Sequence, residues 1–182
     1  MKKIILTFVA LLIAITTIQV QAQKTTPAQK RKIERAIADS INQVNVRWAV
    51  ENKDLYFDGI DMQIKNLDRY SLRAPYNMVE VDGDFIRVRL PYFTSVNLMG
   101  NNPAILDFES SNIKYSYTER NGVYIVKIDI REAKNTAMST RRSPSDGYTL
   151  TLTISGSGNS SVDLALTPNF TSTIFYRGRL DF

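Results

Sequence analysis

Two arginines and two aromatic residues near the middle of the chain are the best candidates for contact with a ligand. Arg87 and Arg89 alternate along a predicted strand, and Tyr92 and Phe93 follow it after Pro91. A guanidinium can hold a carboxylate or phosphate through two parallel hydrogen bonds, and an aromatic ring offers a flat face to a sugar or a peptide. In the alternative interpretation, both arginines face solvent and the aromatic pair packs into the core.

Carboxylates are the second group that could do chemistry, because paired acids can hydrolyse glycosidic bonds. Asp82 and Asp84 flank Gly83 at a predicted hairpin turn, where Asp is an ordinary residue. The segment 58–61, with Asp at each end, lacks the repeated oxygen ligands of a calcium loop. Turn and surface roles are therefore favoured over catalysis for these acids and for Glu80, and no metal site is predicted.

The chain contains no histidine and no cysteine. Histidine is the commonest general base near neutral pH. Its absence, with that of cysteine, excludes Ser-His-Asp and Cys-His catalysis and zinc sites built from these two residues. Carboxylates, lysines, tyrosines or an oxygen-bound cation remain, and no cofactor is predicted. Without disulfides, an exported domain must be held together by its packed core.

The N-terminal segment has the layout of a secretory signal peptide. Lys2 and Lys3 precede an apolar run at 4–15, and Val20 and Ala22 occupy the −3 and −1 positions of a cleavage site. The run is shorter than the roughly 20 residues that span a membrane. We expect a signal peptide at 1–22 and a single domain at 23–182, with no membrane span after the signal is removed. The predicted location is periplasmic or secreted, in a Gram-negative bacterium.

Charge gives little support for a nucleic-acid partner. The formal net charge is +5, of which Lys2 and Lys3 contribute two units. The other basic residues are scattered among acids, and only 30–32 and 141–142 form basic clusters. A nucleic-acid binder concentrates its positive charge on one face or stripe.

A helix is predicted from about 27 to 51. Thr26 can cap it, and Pro27 suits the first helical position. Large apolar side chains then recur three or four residues apart, which is typical of one helix face. We expect this face to pack on the core, with Trp48 as a core plug. The residues of this face are Ile33, Ile37, Ile41, Val44 and Trp48.

After residue 54 the apolar period changes from 3.6 to 2, which indicates strands. Asp82-Gly83 and Asn121-Gly122 predict two tight hairpins. Longer connections are expected at 94–104 and 131–146. The predicted fold class is α+β, mostly β, with an N-terminal amphipathic helix packed on a strongly twisted, barrel-like antiparallel sheet of about eight strands. The predicted strands are 55–62, 78–82, 84–90, 113–118, 123–130, 148–154, 162–166 and 173–180.

The segment 88–93, Val-Arg-Leu-Pro-Tyr-Phe, follows Asp-Gly-Asp at 82–84 and resembles the central motif of a secreted bacterial family. That family is known only as domain of unknown function DUF4251. The resemblance covers most of the chain after the leader, and it implies no activity. A glycine is typical after the motif, whereas this chain has Thr94. Further matching segments are 55–57, 69–72, 106–108 and 175–178.

The sequence therefore favours an exported, non-catalytic protein. The expected role is a binding module for a small molecule, a glycan, a peptide or an envelope protein. The alternative from another class is a carboxylate-dependent hydrolase in the periplasm, which would need two acids about 5–10 Å apart in one cleft.

Overall fold

The computed structural model describes residues 26–64, 69–72, 77–92, 104–135, 147–156, 160–169 and 173–182. Among the described residues, 26–37 belong to one unit and 38–182 to a second. All contacts below lie within the second unit. The elements in chain order are α1 (Pro27–Asn52), β1 (Asp54–Ile64), β2 (Arg69–Ser71), β3 (Met78–Asp82), β4 (Phe85–Tyr92), β5 (Ala104–Ser110), β6 (Ile113–Arg120), β7 (Val123–Ile130), β8 (Lys134–Asn135), β9 (Tyr148–Ser155), β10 (Ser161–Pro168) and β11 (Ile174–Asp181).

All the strands belong to one sheet, and the order is β6-β7-β9-β10-β11-β1-β3-β4-β5-β8, with β2 paired to β1. Every pairing in the described residues is antiparallel. Nine of these strands have five or more residues, and β2 and β8 have three and two. The predicted fold class, α+β with one helix against a curled antiparallel sheet, is confirmed.

The sheet curls so that its inner face covers itself. Phe108 of β5 stacks on Tyr148 of β9, with ring centroids 4.6 Å apart, although β5 and β9 are far apart in the strand order. Tyr176 of β11 donates a hydrogen bond of 2.8 Å to the carbonyl of Pro91 on β4. Such contacts require a half-barrel, whose interior is filled by alternate apolar side chains from most of the long strands. The exception is β6, whose Ile113 and Tyr115 are only partly buried.

The two predicted hairpins are confirmed. Asp82 pairs with Phe85 across the first turn, and Gly83 has a φ of 59°. In the second hairpin Asn121 and Gly122 both have positive φ, at 54° and 75°. A two-residue turn needs such angles for its twist to match that of the strands, and Gly and Asn adopt them at low cost.

The helix has the predicted limits, but the predicted core face is wrong. Trp48 is 55% exposed, and Ile41 and Val44 are 55% and 67% exposed. Ile33 and Ile37 are also exposed. Three smaller residues are buried instead: Val46, Ala49 and Val50.

The connection to β1 explains which helix face is buried. Lys53 is the single residue between α1 and β1, and its φ is 56°. So short a link leaves the helix little freedom to rotate about its axis. Tyr115 donates a hydrogen bond of 2.9 Å to the carbonyl of Val50, and Arg47 donates one of 3.2 Å to the hydroxyl of Tyr124. Ala49 is buried on the same side of the helix as Val46 and Val50.

Three strands were not predicted. β2 and β8 are too short to show an alternation, and only their pairing defines them. In β5 the residues Leu106, Asp107 and Phe108 are all buried, so the two-residue period is hidden there. The predicted leader and most of the two long connections lie outside the described residues.

Replacing Trp48 by Ala should change the free energy of unfolding by no more than about 0.5 kcal/mol, because the side chain is exposed. Val50→Ala, which empties a buried site on the same helix, should cost about 2 kcal/mol. Urea unfolding of both variants measures the difference. Trp48 is also the only tryptophan, so iodide should quench the fluorescence of the wild-type protein. A larger loss for Trp48→Ala than for Val50→Ala would contradict the burial described here.

Candidate functional site

Of the predicted ligand-binding residues, Arg87, Arg89 and Tyr92 lie on β4. Arg87 and Arg89 lie on the outer face, where each meets carboxylates of the neighbouring strands. Arg87 lies 3.6 Å from Glu80 and 3.5 Å from Glu109, and the Nε of Arg89 lies 3.1 Å from Asp107.

Tyr92 lies on the opposite face of β4, packed against the hydrophobic core. The structure therefore brings Arg87 and Arg89 together but does not place Tyr92 beside them. Phe93 lies outside the described residues. Pro91 follows the part of β4 that pairs with β3, as expected for a residue that has no backbone N–H to donate.

A cleft of about 330 Å³ lies elsewhere, on the outer face of the sheet. Its volume is at the lower end of the range of about 300–1,000 Å³ that is typical of small-molecule sites. Four neighbouring strands and β2 supply its walls. The lining residues are Asp61, Gln63, Arg69, Thr151, Thr153, Asp163, Leu164, Ala165, Phe175, Tyr176 and Arg177.

Most of these side chains lie in two rows that run across the strands. In one row Thr153, Asp163, Arg177 and Asp61 are successive register partners. The second row is Thr151, Ala165, Phe175, Gln63 and Arg69. Directly opposed side chains have Cβ atoms about 5 Å apart, so the rows form a continuous polar surface with one aromatic ring and one small residue in it.

A bulge in β1 directs Asp61 into the cleft. Leu55, Phe57 and Gly59 face the interior, so strict alternation would turn Asp61 inward as well. The register shifts between Gly59 and Asp61, which inserts one residue and reverses the alternation. Met62 is consequently fully buried, and Asp61 lines the cleft. Re-aiming a side chain is a known effect of a β-bulge.

Gly178 permits the close packing beside this bulge. It pairs with Gly59 on the neighbouring strand, and the ring of Phe57 lies against it. A Cβ atom at Gly178 would clash with the carbonyl oxygen of Asp58 and would lie 2.7 Å from Cε2 of Phe57. A glycine is therefore needed at this position for steric reasons.

The charges in the cleft are balanced. The Nε of Arg177 lies 3.3 Å from Oδ1 of Asp163. Asp61 and Arg69 have no ion pair or hydrogen bond from their side chains within the described part of the chain. Two carboxylates and two guanidiniums thus line the cleft. Among the described residues, no group of three or more acidic side chains could hold a metal ion.

Phe175 is the aromatic wall of the cleft, and it is 46% exposed. Its register partner Ala165 is half-buried and leaves space beside the ring. The hydroxyls of Thr151 and Thr153 line the other side. The sequence interpretation missed this group, because threonines and an arginine on the polar face of a strand also suit plain solvent exposure. The available signal was the aromatic Phe175 on that polar face.

Two tyrosines link elements of the fold: Tyr176, which is buried, and Tyr115, which is partly buried. Burial raises the pKa of Tyr176 well above its ordinary value, and the neighbouring Tyr92 raises it further. Burial likewise raises the pKa of Tyr115, with a smaller effect from Tyr117. Both hydroxyls donate hydrogen bonds to backbone carbonyls, so neutral tyrosines hold β4 to β11 and α1 to β6.

Residues 38–180 match the model of the domain of unknown function DUF4251. The chain belongs to the DUF4251 family. The match begins where the second compact unit begins, and it includes every residue that lines the cleft. No curated protein is matched by the chain. No helix in the described ranges is long and apolar enough to cross a membrane.

A solved structure supports the fold of this DUF4251 protein. The crystal structure of a DUF4251 family protein from Bacteroides eggerthii superposes with a TM-score of 0.57. The two chains are 19% identical, and the similarity covers 79% of this chain and 89% of the other. At this identity the similarity shows a shared fold.

Gly178→Ala should lower the free energy of unfolding by about 1–3 kcal/mol, because the added methyl group forces β1 and β11 apart. Urea unfolding measures the loss. Arg179→Ala, which changes the next residue of the same strand and removes an exposed side chain, is the matched control and should cost less than about 1 kcal/mol. Equal stability of Gly178→Ala and wild type would contradict the packing described at the bulge.

Stability should fall as the pH rises above about 10, where tyrosines of the unfolded chain ionise. Tyr115 and Tyr176 keep their protons in the folded state at that pH. The unfolded state then binds fewer protons, so the free energy of unfolding decreases with rising pH. At neutral pH, Tyr176→Phe should cost about 1 kcal/mol for the lost hydrogen bond. Above pH 10 its stability should fall less steeply than that of wild type in urea titrations, and parallel curves would contradict the assignment.

Proposed function

We propose that this DUF4251 protein is an exported, non-catalytic binding module whose ligand occupies the outer-face cleft. The cleft carries the proposal, because it combines an exposed aromatic ring with hydroxyl, amide and ionic groups on rigid strands. A binding site typically has a small number of polar groups in defined positions beside an apolar wall. The proposed location, periplasmic or secreted, rests on the leader-like segment at residues 1–22.

The arrangement of the acids favours binding over hydrolysis. Asp61 and Asp163 are the two carboxylates of the cleft, and β11 lies between their strands. Arg177 is the register partner of both. An arginine therefore occupies the position between the acids, where a hydrolase would have to place the bond to be broken. The carboxylate-dependent hydrolase remains the alternative, and it would need Arg177 to move away.

The surface around Arg87 and Arg89 stays a second candidate for ligand contact. Both arginines already pair with carboxylates of β3 or β5. A ligand there would have to compete with these ion pairs, so the cleft is the better supported site.

Backbone amide chemical shifts can test the proposal with a mixed library of saccharides, lipids and peptides. We expect at least one library member to shift the amides of 61–63, 151–153, 163–165 and 175–177 in wild-type protein. Phe175→Ala should abolish these shifts, because it removes the aromatic wall. Phe182→Ala removes an exposed phenyl ring outside the cleft. This variant should still show the chemical-shift changes. Shifts confined to other surfaces would refute the cleft as the binding site, and hydrolysis of a glycan by wild type but not by Asp163→Asn would support the hydrolase instead.

A further inference from the structure

The cleft offers more than a general affinity for small molecules, because its charge, shape and hydrogen-bonding groups select a ligand class. Resting on the proposed function, we propose that it binds a neutral saccharide ring, with the apolar face of the sugar on Phe175 and its hydroxyl edge toward Asp163 and Arg177.

The charge balance argues for a neutral ligand. Asp61 and Asp163 offset Arg69 and Arg177 within the lining. A site for a phosphate or carboxylate would show an excess of positive charge. Arg177 is already neutralised by Asp163 at 3.3 Å. An anionic ligand would therefore have to displace or face a carboxylate in the cleft.

The apolar part of the cleft has room for one sugar ring. Phe175 presents an exposed aromatic face, and the methyl group of Ala165 is its cross-strand neighbour. Any larger residue at 165 would fill the space between Phe175 and Thr151, which are the register partners of Ala165 on either side. A pyranose ring has a C–H face that can stack on an aromatic ring, whereas an open-chain polyol has none.

The polar part of the cleft matches adjacent hydroxyl groups. A hydroxyl can donate to a carboxylate and accept from a guanidinium at the same time. Arg177 uses its Nε for Asp163, and its two terminal nitrogens make no hydrogen bond to any described residue. The Asp163–Arg177 pair can thus receive two neighbouring hydroxyls of one ring. Thr151, Thr153 and Gln63 add neutral groups around it.

Saturation-transfer NMR and amide-shift titrations can test this class with five probes. Methyl glucoside and cellobiose are neutral rings, and glucuronate adds one negative charge to the same ring. Sorbitol has the hydroxyls without the ring, and the dipeptide alanylphenylalanine is a zwitterion with an aromatic group. We expect the neutral rings to shift the cleft amides, and we expect glucuronate and sorbitol to bind at least about tenfold more weakly, a difference of about 1.4 kcal/mol.

Single substitutions locate the contacts. Phe175→Ala and Arg177→Gln should each weaken the binding of cellobiose about tenfold or more. Phe182→Ala and Arg179→Gln are the matched controls, and they should leave it unchanged. Arg179 lies two residues further along the same face of β11 and does not line the cleft. Ala165→Leu should prevent the sugar ring from entering the cleft. The unfolding curve of this variant in urea reports whether it is folded.

The outcomes separate the ligand class from the proposed function. Preferential binding of glucuronate or of the dipeptide at the cleft amides would overturn the neutral-sugar assignment and leave the binding module standing. Sugar binding that survives Phe175→Ala and Arg177→Gln would overturn the assignment of the cleft. If neither the saccharides nor any member of the broad library shifts the cleft amides, both proposals fail.

Discussion

The structure depends on the two-faced character of its antiparallel sheet. Most of the long strands give alternate side chains to the interior, and a chain without cysteine has no disulfides to add to this packing. The apolar face of the sheet is too wide for one helix to cover. Curling lets the sheet cover its own inner face, as the stacking of Phe108 on Tyr148 shows. The outer face therefore does not have to pack into the core, and it can carry polar and aromatic groups.

The proposed binding surface depends on this difference between the inner and the outer face of the sheet. Side chains of the outer face sit on strands whose backbone is fixed by pairing on both sides, so their spacing is rigid. Rigid placement lowers the entropy that a ligand must remove on binding. The bulge in β1 extends the same principle, because it moves Asp61 from the inner to the outer face and returns Met62 to the core.

In the helix, the short connection to β1 decides which face is buried, and the pattern of large apolar residues does not. Its larger apolar stripe is exposed and its smaller one is buried. Lys53 and the hydrogen bond from Tyr115 to the carbonyl of Val50 fix the rotation of the helix. Hydrophobic periodicity identifies which residues share a face, but it does not state which of two faces meets the sheet.

The sequence by itself determined the helix limits, the long alternating strands and both hairpins, because each depends on neighbours within a few residues. It also excluded histidine and cysteine chemistry. The family resemblance was readable from local motifs, and the structure and the family match confirm it. Only the tertiary structure decided the buried helix face, the short strands β2 and β8, and the cleft. Residues such as Asp61, Asp163 and Phe175 are far apart in the chain, and strand order and register alone bring them together. The bulge decides the matter for Asp61, since a shift of one residue reverses the face of every side chain beyond it.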